Sequence, residues 1–127
     1  MRKVLLFVVT LMLAFSLTAC GSAVRLREDS VNTLQIGERC SFRGQEKQSI
    51  PYRWRYSISD ENLVGIFEDT YKDDIRSKPM PGGDQGWRNL CFEALMPGTC
   101  VIEIRYEDIR DGTYSESYTY TVVITEK

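Results

Sequence analysis

The sequence predicts an all-β protein, a sandwich of about seven antiparallel strands, from three observations. Hydrophobic and polar residues alternate with a period of two, most clearly over residues 52–59, where the even positions are aromatic or β-branched. Turn signals that contain glycine or proline separate the alternating segments. Trp54 lies between Cys40 and Cys100, in the order that is typical of immunoglobulin domains. We therefore expect an immunoglobulin-like antiparallel β-sandwich, preceded by a signal peptide.

Seven segments have the pattern of strands. In chain order they are residues 31–36, 39–43, 52–59, 63–70, 90–94, 102–106 and 118–124. The turn signals between them are Gly37-Glu38, Gly82-Gly83, Pro97-Gly98 and Asp111-Gly112. The aromatic residues of the third and seventh segments share one parity, which indicates a core position rather than a carbohydrate-binding platform. These residues are Tyr52, Trp54, Tyr56, Tyr118 and Tyr120.

The start of the chain predicts export and lipidation. Arg2 and Lys3 form a basic start, and a largely apolar run that is too short to span a bilayer comfortably follows over residues 4–15. The next residues, Leu17-Thr18-Ala19-Cys20, are similar to the lipobox of bacterial lipoprotein precursors. In such precursors the signal is removed before the cysteine, which then carries the lipid. An ordinary cleaved signal with Cys20 near its end by chance is the alternative.

This resemblance implies three regions. Residues 1–19 are expected to be a lipoprotein signal peptide, and residues 20–29 a lipidated cysteine followed by a tether with little apolar material. Residues 30–127 are expected to form the domain. The mature protein is then held at the cell membrane, on the extracytoplasmic side, by a lipid such as palmitate on Cys20.

The composition argues against catalysis, metal binding and nucleic-acid binding. The chain has no histidine, which excludes Ser-His-Asp and Cys-His nucleophiles and imidazole general bases. Its formal net charge is -2, whereas nucleic-acid-binding proteins cluster Lys and Arg on one face. The cysteines after Cys20 include no Cys-X-X-Cys pair, so a usual zinc tetrahedron is disfavoured. We expect a non-enzymatic binding domain without catalytic residues, cofactor or metal.

The three later cysteines differ in parity. Cys40 and Cys100 share inward parity, and we expect a disulfide between them if the domain matures in an oxidising compartment. Cys91 has the opposite parity from Leu90 and Phe92, so we expect it to be outward or peripheral.

Three connections are expected to meet at one end of the sandwich, which we call the loop pole. They join the second and third, fourth and fifth, and sixth and seventh segments, and they cover residues 44–51, 71–86 and 107–113. They are predicted to be longer than the connections at the opposite end, and long loops on a rigid scaffold commonly carry binding. Solvated connectors are the alternative. Trp87 has outward parity beside these loops, where it either contacts a partner or caps the sandwich.

Several parts of this frame are similar to one known family. They are Ile36-Gly37-Glu38 before the second segment, Trp54 in the third, Pro97-Gly98-Thr99 at a turn within the run 83–106, and the aromatic-rich last segment. From about Leu34 to Ile124 the chain resembles the chagasin-like family of cysteine protease inhibitors. The resemblance implies an immunoglobulin-like domain that blocks papain-type proteases with three loops at one pole.

The loops themselves depart from the family pattern. The family's Asn-Pro-Thr-Thr-Gly corresponds here to Lys47-Gln48-Ser49-Ile50-Pro51, its Gly-X-Gly-Gly is met at its ends by Gly83 and Gly86, and its Arg-Pro-Trp corresponds to Asp108-Ile109-Arg110. With Trp87 added, these residues are the candidate protease contacts. The resemblance therefore implies weaker or differently targeted inhibition. A structural or adhesive immunoglobulin-like envelope lipoprotein, which binds another protein and inhibits nothing, is the alternative.

Overall fold

The computed structural model describes residues 23–73 and 85–126. The predicted signal peptide, Cys20 and Gly83 lie outside these ranges. Within them, no helix has the length and apolar character that crossing a membrane requires.

Eight strands make up the described part of the chain. They are β1 Val24–Arg25, β2 Asn32–Gln35, β3 Arg39–Lys47, β4 Tyr52–Ile58, β5 Val64–Asp73, β6 Gln85–Ala94, β7 Gly98–Asp108 and β8 Tyr114–Thr125. They form two four-stranded sheets, in the orders β1-β3-β6-β5 and β2-β8-β7-β4. The β1–β3 and β2–β8 pairs are parallel, and the other pairs are antiparallel. All seven predicted segments contain a strand, and the predicted sandwich is confirmed.

The core lies between the two sheets and is built from the positions that the alternation predicted. Leu90 and Phe92 from β6 are completely buried, as are Ile102 and Ile104 from β7. Each such side chain contributes about 1.5–3 kcal/mol when it is removed from water. The aromatic residues that were predicted to point inward are also buried or partly buried. Trp54 and Tyr120 are buried, Tyr56 and Tyr118 pack partly buried against the core, and Tyr52 stacks on Tyr106 at 5.4 Å.

Strand β1 extends the domain beyond its predicted start. Val24 pairs with Cys40, and the backbone N–H of Leu26 donates to Ser41 O at 2.9 Å. The Leu26 side chain is buried in the core cluster. The expected tether over residues 20–29 is therefore wrong for residues 24–26, because the exposed arginines on both sides of Leu26 obscure a two-residue strand. The buried core residues run from Leu26 to Ile124, so a protein that starts at residue 21 keeps the whole core.

Cys40, Cys91 and Cys100, the cysteines within the described ranges, are buried. Cys40 and Cys100 lie in the core cluster, as their parity predicted. The expected disulfide between them is not formed, since Cys100 is a thiol whose Sγ donates to Asp60 O at 3.7 Å. The pairing stays a prediction for protein matured in an oxidising compartment. Cys91 was expected to be peripheral, but it is completely buried because it lies in the interior strand β6, between Ser41 and Glu68.

The connections at the loop pole are shorter than predicted. Strand β3 continues to Lys47 and β7 to Asp108, so the connections to the next strands are residues 48–51 and 109–113. At the opposite end, residues 59–63 join β4 to β5 and are just as numerous. The two described loop-pole connections are longer than the turns of residues 36–38 and 95–97, as expected, but not longer than residues 59–63, so the expectation holds only in part. Exposed apolar side chains occur at both ends, Ile50 and Ile109 at the loop pole and Leu95 and Met96 at the other.

The turn between β6 and β7 explains the glycine in its Pro-Gly-Thr sequence. Gly98 has a φ of 149°, a conformation that side chains rarely adopt. A Cβ atom there would lie 2.9 Å from Cδ1 of Leu63. Glycine is needed at this position for both reasons.

Candidate functional site

The sheet registers place several strand ends at the loop pole. Lys47 pairs with Gln85 and Asp73 pairs with Gly86 in one sheet, while Tyr52 pairs with Asp108 in the other. The candidate residues 47–51, 86–87 and 108–110 therefore lie at the same end of the sandwich. The connection between β5 and β6, including Gly83, lies outside the described residues.

The connection from β3 to β4 is held by the guanidinium group of Arg53. Its Nη1 donates to Ile50 O at 2.7 Å and to Lys47 O at 3.3 Å, and its Nη2 donates to Gln48 O at 3.2 Å. Hydrogen bonds from a charged donor contribute about 1.5–3 kcal/mol each. The loop is thus ordered before it meets a partner. Sequence reasoning missed Arg53, whose outward parity directly after the loop is a signal for this role.

The connection from β7 to β8 is organised by Asp108. Its carboxylate accepts hydrogen bonds from the backbone N–H of Arg110 at 2.9 Å and from Nη2 of the same residue at 2.7 Å. Its backbone also bonds to Gly112 and Thr113. The hydrogen bond from the Arg110 side chain is the largest of the effects that lower the pKa of Asp108 to about 2. Asp108 is only 3% exposed, so its predicted role as a contact residue is corrected to that of holding Arg110.

Two isoleucines stand exposed at the pole. Ile50 is 38% exposed and Ile109 is 51% exposed. Their loops are joined directly, because the backbone N–H of Ile109 donates to Pro51 O at 2.8 Å. Next to them the side chain of Arg110 is 71% exposed. The pole therefore offers an apolar pair beside one cation on two connected loops.

A buried carboxylate links the two sheets beneath these loops. Glu46 in β3 is completely buried, and it accepts from the Trp54 backbone N–H at 2.9 Å, from Arg88 Nη2 at 2.7 Å and from Gln48 Nε2 at 2.9 Å. Arg88 also pairs with Asp69 at 3.2 Å. Burial alone would lower the pKa of Arg88, but the hydrogen bonds and charges of both carboxylates raise it.

Sequence reasoning missed this network. Glu46 and Arg88 both have inward parity on two strands that pair, which is the signal that would have revealed them.

Trp87 lies on the outer face of its sheet, as its parity predicted. It pairs with Gln45 on one side and Lys72 on the other, and it is half-buried. The Arg43 guanidinium lies over its ring, 4.4 Å from the ring centroid, in a cation–π contact. Trp87 is therefore part of a sheet surface next to the pole and is not a cap on the end of the sandwich.

A shallow cleft of about 390 Å³ opens beside the first loop. Its lining residues are Gln45, Lys47, Ile50, Trp54, Tyr106 and Glu116. Trp54 forms the aromatic floor, with its Nε1 donating to Gln45 O at 2.9 Å and its ring 4.8 Å from that of Tyr106. Gly44 makes room for this arrangement, because a Cβ there would overlap the indole ring.

Metal binding finds no support in the described ranges, where His, Cys, Asp and Glu are nowhere gathered in a group of three that could hold an ion. The carboxylates of Asp108 and Asp111 are instead occupied by groups of their own loop, since Asp111 accepts from the backbone N–H and the hydroxyl of Thr113. These hydrogen bonds lower the pKa of Asp111.

Comparison with known proteins decides the family. The sequence profile of the chagasin family of peptidase inhibitors, I42, matches residues 33–124. The chain belongs to the chagasin family. The members of this family are inhibitors of peptidases rather than enzymes. No curated protein matches the sequence closely enough to count as a relative.

Two solved structures have a similar fold. The cysteine protease inhibitor EhICP2 from Entamoeba histolytica has a TM-score of 0.66 at 22% identity, over 81% of this chain and 96% of that one. Amebosin has a TM-score of 0.54 at 18% identity, over 83% of this chain and 98% of that one. At these identities the likeness establishes the fold of this chagasin-family domain and nothing finer.

Proposed function

We propose that this chagasin-family protein inhibits papain-type cysteine peptidases by placing its loop pole in the active-site cleft. The observation that carries the proposal is the pair of connected, internally hydrogen-bonded loops that expose Ile50, Ile109 and Arg110 on a scaffold of a peptidase-inhibitor family. Loops that are already ordered lose little conformational entropy on binding, which favours affinity. The likeness to EhICP2, itself a cysteine protease inhibitor, agrees with the choice of peptidase class.

The hydrogen bonds of the first loop also favour resistance to cleavage. A peptidase thiolate attacks a substrate carbonyl whose oxygen must turn toward donors in the enzyme. The carbonyl oxygens of Gln48 and Ile50 already accept hydrogen bonds from Arg53. Reorienting either of them would break a charge-assisted bond, so the loop fills a cleft without presenting a reactive carbonyl.

The apolar pair is the proposed anchor of the interface. Burying an exposed apolar side chain in a cleft is favourable, whereas burying an unpaired charge there is strongly unfavourable. Replacing Ile50 with Asp is therefore expected to weaken inhibition by at least tenfold, since an anchor residue contributes about 2 kcal/mol or more. Lys47→Ala, at the adjoining strand end, is expected to change inhibition much less.

The test is a titration of several papain-type peptidases with protein that starts at residue 21. Inhibition by this protein that Ile50→Asp weakens more than Lys47→Ala supports the proposal. If no peptidase is inhibited at high micromolar concentration, the inhibitor proposal fails and the adhesive envelope module takes its place.

We further propose that Cys20 is the lipidated amino terminus and holds the inhibitor at the cell membrane, on the extracytoplasmic side. The support is the lipobox-like Leu17-Thr18-Ala19-Cys20 after a basic and apolar start. Cys20→Ala is expected to move the protein from the membrane fraction to a soluble or unprocessed form. A processed Cys20→Ala variant that still partitions into detergent would exclude the lipid anchor.

A further inference from the structure

A cluster of cations surrounds Trp87 on the outer face of the β1-β3-β6-β5 sheet. Trp87 pairs with Lys72 of β5, and the Arg43 guanidinium of β3 lies 4.4 Å from its ring centroid. Lys47 has the same outward parity on β3, two residue pairs closer to the loop pole than the pair of Gln45 and Trp87. Arg43 and Lys72 are exposed, and Lys47 and Trp87 are half-buried. We call these four residues the basic patch.

Positive charge is concentrated here although the chain is acidic overall. The formal net charge of the chain is -2. The other described positions at this end of the outer face are neutral: Gln45, Thr70, Gln85 and Asn89. The carboxylates of the face, Glu68 and Glu93, lie farther from the loop pole.

The outer face of the other sheet also carries arginines, but carboxylates lie among them, and Arg53 lies opposite Glu107 in the β4–β7 pair. There Arg105 forms an ion pair with Glu103 on the same strand, at 2.5 Å. The cations of the basic patch are thus a local feature, which gives the molecule an uneven field that can steer a partner of opposite charge.

The basic patch is continuous with the proposed interface. Lys47 is the last residue of β3 before the loop that carries Ile50, and Trp87 is the third residue of β6 as that strand leaves the pole. A peptidase whose cleft receives the pole must bring the surface beside its cleft close to these side chains. The patch therefore faces the rim of the interface and not its apolar centre.

We propose that the basic patch contacts an acidic surface beside the active-site cleft of the target peptidase and speeds association with it. This inference rests on the proposed inhibitory function and names the kind of peptidase that the inhibitor selects. Charges at the rim of an interface act mainly on the association rate and its salt dependence, whereas buried apolar anchors act on dissociation. The two contributions can be measured separately.

The experiment compares association and dissociation rates of protein that starts at residue 21, with and without charge reversal. The double variant Arg43→Glu and Lys72→Glu is expected to associate about tenfold more slowly at 50 mM salt with a peptidase that has acidic residues beside its cleft. The difference is expected to disappear at about 1 M salt, where the Debye length is about 3 Å. The dissociation rate is expected to change little. Peptidases with a neutral or basic cleft rim are expected to show no such slowing.

Arg55→Glu is the matched control, because Arg55 is an exposed strand arginine on the outer face of the other sheet. It makes the same change in net charge as Arg43→Glu, away from the basic patch. Equal slowing by the two single variants would overturn the proposal, since only net charge would then matter. A double variant that keeps its association rate while it loses binding to vesicles of anionic phospholipid would also overturn it and assign the patch to a membrane.

The variant Ile50→Asp keeps the two proposals distinguishable. If Ile50→Asp weakens inhibition while charge reversal leaves the association rates unchanged, the inhibitory function stands and the basic-patch proposal fails. If the unmodified protein inhibits no papain-type peptidase, both proposals fail.

Discussion

Single charged residues, Arg53 and Asp108, set the shape of the loop pole. Arg53 lies outside the loop it holds, yet it donates to the carbonyl oxygens of Gln48 and Ile50 in the loop and to those of the flanking Lys47 and Tyr52. Asp108 is buried and fixes the exposed Arg110. In both connections a charged side chain replaces backbone hydrogen bonds that an irregular loop cannot make within itself.

Removing the Arg53 side chain is expected to loosen the first loop. Arg53→Ala leaves the carbonyl oxygens of the loop without their donors, so we expect at least tenfold weaker inhibition and faster amide hydrogen exchange over residues 48–51. Arg55→Ala is the control, because Arg55 is the next outward residue on the same strand and points to the same face. Equal effects of the two substitutions would mean that Arg53 contributes only charge.

The pair formed by Asp108 and Arg110 predicts a pH dependence. Hydrogen bonding by Arg110 is the first of the causes that depress the pKa of Asp108 to about 2, below its ordinary 3.8. The stabilising effect of the pair is therefore complete above about pH 4, and it is lost as the pH falls through about 2. The NMR chemical shift of the Asp108 side-chain carboxyl carbon is expected to titrate with a midpoint at about pH 2.

Arg110→Ala is expected to return the Asp108 midpoint toward its ordinary value. Asp111 serves as an internal control, because Thr113 is the main cause of its lowered pKa and the substitution leaves Thr113 in place. A midpoint for Asp108 that stays near 2 in Arg110→Ala would show that backbone groups, and not the guanidinium, stabilise the carboxylate.

At the scale of strands, the sequence predicts the alternating core positions correctly but not where a strand ends. Alternation in a half-buried strand is a direct consequence of its two faces, so Ile102, Ile104 and Trp54 were placed correctly in the core. The last residues of β3, from Gly44 to Lys47, were expected to belong to the connection that follows it. Their strand conformation depends on partners in β6, which alternation within β3 does not reveal.

Side-chain contacts between strands could not be predicted from the sequence pattern either. Glu46 is buried only because Arg88 from β6, Trp54 from β4 and Gln48 from the loop together satisfy its oxygens. A glutamate at an inward position ordinarily indicates the end of a strand, since burying a charge costs several kcal/mol unless it is paired. The sequence pattern therefore predicts the sandwich well and the tertiary hydrogen bonds of the candidate site poorly.

Glu46 is expected to stabilise the join between the sheets. Glu46→Ala leaves Arg88 without its closest carboxylate and Trp54 N–H without an acceptor, so we expect the free energy of unfolding to fall by about 3 kcal/mol. Glu68→Ala, a partly exposed glutamate on the outer face of the same sheet, is expected to cost less than about 1 kcal/mol. Denaturant unfolding of both variants measures the difference. A cost below 1 kcal/mol for Glu46→Ala would contradict the role assigned to this network.

At the scale of the whole molecule, the start of the domain and the loop pole lie at opposite ends. Val24 pairs in parallel with Cys40, near the beginning of β3, whereas Lys47 ends β3 at the pole. Strand β7 contains 11 residues, which at about 3.3 Å each span roughly 35 Å. Cys20 precedes Val24 by a stretch that reaches at most about 14 Å when fully extended.

A lipid on Cys20 would therefore hold the domain by the end opposite its loops. We expect protein anchored through Cys20 in neutral phospholipid vesicles to inhibit an added soluble peptidase with the same inhibition constant, within about twofold, as lipid-free protein that starts at residue 21. The comparison uses the same peptidase and salt concentration for both forms, and neutral vesicles keep the basic patch from being drawn to the lipid surface. An inhibition constant that rises tenfold or more on the vesicles would mean that the membrane covers the pole, and the orientation inferred from β1 would be wrong. Since β1 holds the chain at the far end of the sheet, the loops are expected to face away from the membrane, toward peptidases outside the cell.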